Sequence, residues 1–289
     1  MTIPRIFDRR LYATRRARVR ESFLVADVGE TLAQRLGAVN RRFAHGLDLN
    51  SRDQIFAAVA PLAERWTRTS LAGGETVADE EALPFTAGTF DLVVSALSLH
   101  AVNDLPGALA QIRNVLKPDG LFLAALFGGA TLGELRSAFA SGESDIVGGA
   151  SPRVAPMADV RDLGGLLQRA GFALPVADSE KTVARYGAFT TLADDLRALG
   201  ETNALVERSK NFLRRDVLAS MLRSYAARNA DEDGRLLATF EVIYLTAWAP
   251  HESQQKPLKP GAAKTRLADA LHTVEHSAGE RARPKPEDA

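Results

Sequence analysis

Residues 90–127 read FDLVVSALSLHAVNDLPGALAQIRNVLKPDGLFLAALF, and the fold follows from how that stretch divides. Residues 90–95 are mostly apolar and branched, the pattern of a strand buried on both faces of a parallel sheet. Leu105, Leu109, Ile112 and Leu116 then recur at helical spacing. Asn103 or Asp104 is placed to cap that helix, and Pro106 falls in its first turn, where a missing N–H is harmless. Lys117-Pro118-Asp119-Gly120 has Pro and Gly at type I turn positions, and residues 121–127 give a second buried strand closed by Gly128-Gly129. Strand, helix, turn and strand make a βαβ unit, right-handed by the general rule for such crossovers.

Toward the N-terminus, residues 46–49 predict a short strand and 52–64 a helix that turns Ile55, Phe56, Val59 and Leu62 inward. Residues 66–71 predict a weak second strand and 75–79 a short third. Upstream, Asp27 and Glu30 have the spacing of a capping box, with Val28, Leu32, Leu36 and Val39 on one apolar helix face. Toward the C-terminus, 159–170 predict a helix ended by Gly171, and 174–185 a strand. Two helices at 190–208 and 214–228 need not join the sheet, whereas 239–248 (TFEVIYLTAW) read as a last strand with Tyr244 and Trp248 in its core. From His251 the pattern stops, and the remainder reads as extended or disordered. The expectation is an α/β protein with a doubly wound, mostly parallel sheet. Residues 1–45 form a basic helical extension, 46–250 the main domain with a helical insertion at about 187–230, and 251–289 the tail.

Composition narrows the functional classes. With 289 residues and a formal net charge of zero, nothing global points to nucleic acid or an anionic membrane. The absence of cysteine excludes disulfides and thiolate metal sites, and the five scattered histidines offer no convincing iron-ligand set. No apolar run has the length of a membrane span, and no secretory signal is visible. Charge is nevertheless uneven: residues 1–45 carry ten arginines against four acids. That start reads as a basic helix touching a partner, with an organellar transit segment as the alternative.

Ligands of such sheets bind beyond the carboxyl ends of the strands, near the reversal of strand order. The candidates are therefore residues 48–53, 70–74, 79–82, 95–100 and 127–130. Leu47-Asp48-Leu49, the run DEEALPF at 79–85 followed by Phe90-Asp91-Leu92-Val93-Val94, and LKPDGL at 116–121 stand in order along the chain. This set resembles the class I S-adenosylmethionine-dependent methyltransferases. Phe7-Asp8-Arg9, SALSLH at 95–100, GGASPR at 148–153 and APHESQQKP at 249–257 are similar to one branch of that family. The branch contains a mitochondrial complex I assembly factor that hydroxylates an arginine of a complex I subunit. It is related to the malonyl-carrier-protein methyltransferase of biotin synthesis. The likeness spans nearly all of residues 3–275.

The resemblance implies a seven-stranded sheet and S-adenosylmethionine as cofactor. Asp48, Asn50 and Ser51 would receive its amino-acid part, Asp79 and Glu80 its adenine, and Ser95 and Leu97 would wall the methyl group. No metal ligand is implied. His100 is the candidate general base in the pocket region, set against the alternative of a structural histidine. Two features depart from the family pattern. Asn50, Ser51, Arg52 and Asp53 stand where the turn is usually glycine-rich; Asn tolerates left-handed geometry, while the Arg and Asp side chains intrude unless turned away. The second strand also ends without the acid that would hold the ribose, Glu75 being the first carboxylate after it. Three functions follow from this reading: a methyltransferase-like enzyme acting on a protein substrate, a complex I subunit; a non-catalytic assembly or binding module on the same fold; and a carrier-protein acyl O-methyltransferase. The expected location is the bacterial cytoplasm, or the mitochondrial matrix in a eukaryote.

Overall fold

The computed structural model describes residues 4–18, 20–73, 76–255 and 267–274. The chain divides into two compact units, Met1–His251 and Glu252–Ala289. Among its described residues the second unit has one short helix, Leu267–Leu271; the tail at 256–266 and 275–289 lies outside the described residues.

In the first unit two helices, α1 (Arg9–Arg16) and α2 (Phe23–Gly37), precede β1 (Gly46–Asp48), α3 (Asp53–Val59) and β2 (Trp66–Arg68). β3 (Phe90–Ala96), α4 (Leu105–Val115) and β4 (Leu116–Phe127) form the central βαβ unit. α5 (Gly133–Val147), α6 (Val160–Arg169), β5 (Ala173–Tyr186), α7 (Phe189–Ala198), α8 (Arg215–Asn229) and β6 (Leu236–Trp248) follow. The sheet has the order β2-β1-β3-β4-β6-β5, parallel from β2 through β4. β6 runs antiparallel to both neighbours. The chain steps outward from β1 to β2 and then returns past β1 to β3, so the strand order reverses between β1 and β3, and the crevice lies at their carboxyl ends.

Alternation along the strands fills both faces. Val94, Leu123 and Tyr244 pack with Val28 and Leu32 of α2, Ile55 of α3 and Tyr225 of α8, while Val93, Phe122 and Leu245 pack with Leu109 and Ile112 of α4 and Leu163 and Leu167 of α6. Asp91, the one acid in the β3 run, accepts from the backbone N–H of Ala44 and His45 at 3.0 and 2.9 Å and so fixes the entry to β1. Gly142 in α5 lets α8 come close, since a Cβ there would stand 2.6 Å from the Met221 nitrogen.

The class of fold is as read from sequence, but several elements differ. Six strands are present among the described residues, not seven, because 76–79 makes only isolated bridges. Beyond β2 there are only single bridges, a parallel one between Ser70 and Val77 and an antiparallel one between Asp79 and Ala82. α2 begins at Phe23, so Asp27 lies inside it and no Asp27–Glu30 box forms; burial of Leu24 and Val25 extends the helix backward. α3 gives way to a 3-10 turn at Ala60–Leu62, where Pro61 interrupts the α-helical bonding. The 117–120 turn is absorbed into β4, with Asp119 in a left-handed conformation. Asp104, not Asn103, caps α4 by accepting from the Gly107 N–H. The 190–208 helix ends at Ala198, before left-handed Gly200, leaving an irregular loop to residue 214.

Candidate active site

The turn after β1 is shaped by Asn50. Its φ of +59° supplies the left-handed backbone that glycine usually provides. The Asn50 side chain is also held, donating to the Ala78 carbonyl at 3.2 Å and accepting from Thr69 Oγ1 at 3.2 Å. Ser51 Oγ accepts from the Ala96 N–H at 3.1 Å, tying the turn to the end of β3. Asp48 is fully buried beneath the turn and accepts from Arg68 Nε at 3.0 Å. Burial raises its pKa, opposed by hydrogen bonds from Ser51 and Arg68. Neither following bulky side chain blocks the turn. Arg52 Nη2 reaches the Leu199 carbonyl and lies 3.0 Å from Glu201 Oε1, and Asp53 points to solvent against Arg68. A cleft of about 1120 Å³ opens here, lined by Asn50, Ser51, Arg52, Arg16, Arg68 and Ser70.

α1 lies across the strand ends. Arg9, Tyr12 and Arg16 share one helix face by their i, i+3, i+7 spacing, and each contacts residues expected at the cofactor. Arg9 pairs with Asp79 at 2.8 Å and with buried Glu80, and donates to the Ala101 carbonyl at 2.9 Å. Arg16 donates to the carbonyls of both Asn50 and Leu97, clamping the ends of β1 and β3 together. Leu97 is itself left-handed, at φ +51°, an unusual conformation for a branched apolar residue and a sign of local strain. Glu80 also accepts from Ser98 Oγ, and Glu81 from the backbone of Asn103 and Asp104. Ser95 is buried with its Oγ unpartnered. Thus Asn50 and Ser51 line the open cleft; Asp48, Glu80, Ser95 and Leu97 are covered by protein, and Asp79 lies under Arg9.

On the other side of α1, His100 joins a network the sequence did not reveal. Its Nε2 lies 3.0 Å from Glu201 Oε2, and Tyr12 Oη lies 3.4 Å from Glu201 Oε1. Burial pushes the Glu201 pKa up, but His100, Arg52 and Arg16 overcome this and hold it at about 2. Arg52 is pushed down to about 10, by burial first and then by repulsion from Arg16. Glu201 therefore separates the arginine-lined cleft from a smaller cavity of about 250 Å³. Phe127, Phe139, Phe240, Leu132 and Met157 make that cavity apolar, and His100 and Glu201 form part of its wall.

Of the two polar segments singled out by resemblance, 148–153 comes to this cavity. Arg153 lines it and is held by Glu143, whose carboxylate also accepts from the Ser151 N–H at 2.6 Å. The other leaves the sheet at the opposite end, because the Ala249 N–H donates to the Gly120 carbonyl at the start of β4. The one-face spacing of Arg9, Tyr12 and Arg16 was available as a signal in the sequence. Glu201 had none, since a loop outside the sheet brings it in.

Residues 44–124 match the model of the methyltransferase domain family. The chain is 38% identical over 262 residues to the Danio rerio protein named "Arginine-hydroxylase NDUFAF5, mitochondrial", covering 86% of this chain and 81% of that one. It is 40% identical over 256 residues to the Homo sapiens protein of the same name, with coverages of 83% and 74%. A Xylella fastidiosa malonyl-[acyl-carrier protein] O-methyltransferase is 33% identical over 230 residues, with coverages of 78% and 74%. Among solved structures, the YcgJ protein of Bacillus subtilis superposes with a TM-score of 0.52 at 13% identity, over 76% of this chain and 98% of that one. That likeness is one of fold alone.

Proposed function

This chain belongs to the family of the NDUFAF5 arginine hydroxylases, on a class I methyltransferase fold, and we propose that it is an assembly factor for respiratory complex I that binds S-adenosylmethionine and modifies a side chain of a protein subunit. Its place would be the bacterial cytoplasm, or the matrix in a mitochondrial setting. The observation that carries this reading is the turn after β1. Asn50 takes the left-handed conformation, and the Arg52 head is drawn off to Glu201, so a ligand can approach the backbone despite the missing glycines.

The residues fit the cofactor in shape and in part in chemistry. Asn50 and Ser51 offer backbone at the cleft, and Arg16 stands beside them as a cation for a carboxylate. Asp79 is the acceptor for an adenine amine once Arg9 releases it. At the end of β2, Thr69 and Ser70 stand in place of an acid, and their hydroxyls are engaged by Asn50 and by the carbonyls of Ala72 and Gly73, which weakens the hold on a ribose diol. When bound, S-adenosylmethionine supplies an electrophilic methyl group. The contribution of this chain is alignment and exclusion of water: α1 covers the strand ends, and the apolar cavity beside His100 receives the acceptor.

A specific observation favours a second reading, an assembly module without catalysis. Arg9 already occupies Asp79 and Glu80, so the adenine seat is filled by the chain itself. The two part in one experiment: purified protein incubated with respiratory membranes and methyl-tritiated S-adenosylmethionine. Label on a complex I subunit supports the enzyme. Binding to the same subunit with neither label nor added oxygen mass on any protein supports the module.

A further inference from the structure

We propose that the outer face of α1 and the segment 197–216 beside it form one docking surface, and that its occupant is an acidic segment of a protein partner, anchored on Phe212. As the surface that presents a substrate subunit to the cavity, this rests on the function proposed above. As a binding surface it stands without it.

Two stretches far apart in sequence meet here. Phe7 bridges Leu205 in antiparallel fashion, the Asp8 N–H donates to the Ala204 carbonyl at 2.8 Å, and the Val206 N–H donates to the Ile6 carbonyl at 2.9 Å. Just past the other end of α1, the Arg20 N–H donates to the Ala198 carbonyl at 3.0 Å, so the segment is held at both ends of the helix. Residues 4–21 and 197–216 together carry twelve cations against five acids in a chain with no net charge, which sets a basic face against an acidic remainder. The crowding is felt at Arg15, whose pKa is lowered by burial first and then by repulsion from Arg208, with Asp8 opposing.

Little within the chain neutralises the exposed part of this face. Arg197, Arg208 and Arg214 hold Asp194, Asp8 and Asp216. Arg5, Arg10, Arg18, Arg20, Lys210 and Arg215 are exposed, and none of them pairs with a carboxylate among the described residues. Apolar groups stand on the same two segments: Ile6 and Val206, joined through their backbones, are both exposed, and Phe212 is fully exposed.

Composition decides the partner. Eleven of the twelve cations are arginine, whose planar fork takes a carboxylate through two parallel hydrogen bonds. Arginine with an exposed aromatic is the make-up of a protein interface, in which lysine is depleted. A helix that lies in a bilayer needs its second face apolar and free, whereas the second face of α1 is closed on the strand ends by Arg9, Tyr12 and Arg16. A nucleic-acid strand needs a row of aromatic platforms, and Phe212 is the one exposed aromatic among the described residues of these segments. Arg197, Glu201, Thr202, Asn203 and Ala204 of the same segment also line the small cavity, so a partner seated here lies beside its wall.

The test uses the full chain and fluorescence anisotropy. The probes are a blocked amphipathic peptide of a few helical turns with glutamate on one face and leucine on the other, the same peptide with glutamine for glutamate, phosphatidylglycerol vesicles, and a short single-stranded DNA. The glutamate peptide is expected to bind saturably and more weakly as salt rises, and the glutamine peptide to bind about tenfold more weakly. Arg10→Glu with Arg18→Glu should weaken binding of the glutamate peptide about tenfold, and so should Phe212→Ala. Arg161→Glu with Arg169→Glu makes the same change of charge at exposed positions of α6 and should leave the affinity within about twofold. All of these positions are exposed, so thermal unfolding should stay as in the wild type. No binding of the glutamate peptide, equal binding of the glutamine peptide, an α6 variant as weak as the α1 variant, or an unaltered affinity in Phe212→Ala overturns the proposal. Tighter binding to vesicles or DNA than to the peptide does so too, as does self-association of the chain that Phe212→Ala abolishes, which gives the surface to a second copy. None of these readouts involves S-adenosylmethionine, so failure here is distinct from failure of the methyl-transfer reading.

Discussion

If Arg9 holds the adenine seat closed, removing it should raise affinity for the cofactor, and the structure sets the size of the effect. Arg9 lies 2.8 Å from Asp79, whose side chain is 39% exposed, and also pairs with Glu80, which is fully buried. A charge-assisted hydrogen bond is worth about 1.5–3 kcal/mol, and partial exposure of Asp79 reduces this to about 1 kcal/mol. Freeing Asp79 should then tighten binding about fivefold. The single substitution Arg9→Gln is a poor test, because it strands the buried Glu80 charge. Breaking a buried pair costs about 3–5 kcal/mol, which for a chain of this size lowers the melting temperature by roughly 6–20 °C. Arg9→Gln with Glu80→Gln removes both charges together. That double variant should recover most of the lost thermal stability and bind S-adenosylmethionine about five times more tightly than the wild type by calorimetry. Recovered stability with equal or weaker binding would refute the idea that Arg9 and adenine compete for Asp79.

Three further outcomes follow from named contacts. Asn50→Ala should lose about 1–3 kcal/mol in urea unfolding, through its positive φ and its lost bonds to Ala78 and Thr69, while Asn50→Gly should lose less because the backbone strain goes with the side chain. Gly142→Ala gains helix propensity but pushes a Cβ to 2.6 Å from the Met221 nitrogen, so a net loss of about 1–3 kcal/mol is expected as a fall in melting temperature. The Glu201 carboxyl, held at about 2 when folded against an ordinary 4.5, gives stability that is fully present above about pH 4.5 and lost as pH falls toward 2. The stability gap between wild type and Glu201→Gln should therefore close over that window; a gap independent of pH would show that Glu201 is not ionised there.

How far the sequence could be read depends on where each element gets its stability. β3, α4 and β4 were legible because their burial pattern is local and continuous, and the position of the crevice followed from them. The tolerance of Asn50 for left-handed geometry was legible as well. The start of α2 was not, because a capping signal at Asp27 is weaker than the burial of Leu24 and Val25 that extends the helix back to Phe23. The third strand is reduced to single bridges at Val77 and Asp79, an outcome that single-strand propensity does not register. The direction of Arg52 depends on Glu201, a partner 149 residues away on a loop where the sequence pattern predicts helix. Contacts of that kind are made only by tertiary packing, and so the sequence suggested a plug where the structure has an ion pair.

The turn after β1, built on Asn50 with Arg52 withdrawn, is proposed to admit S-adenosylmethionine. Calorimetric titration of that compound into the purified chain tests it directly. Saturable binding at one site, weakened by Asp79→Ala, is expected; no heat at millimolar ligand would mean that the turn is closed to the cofactor.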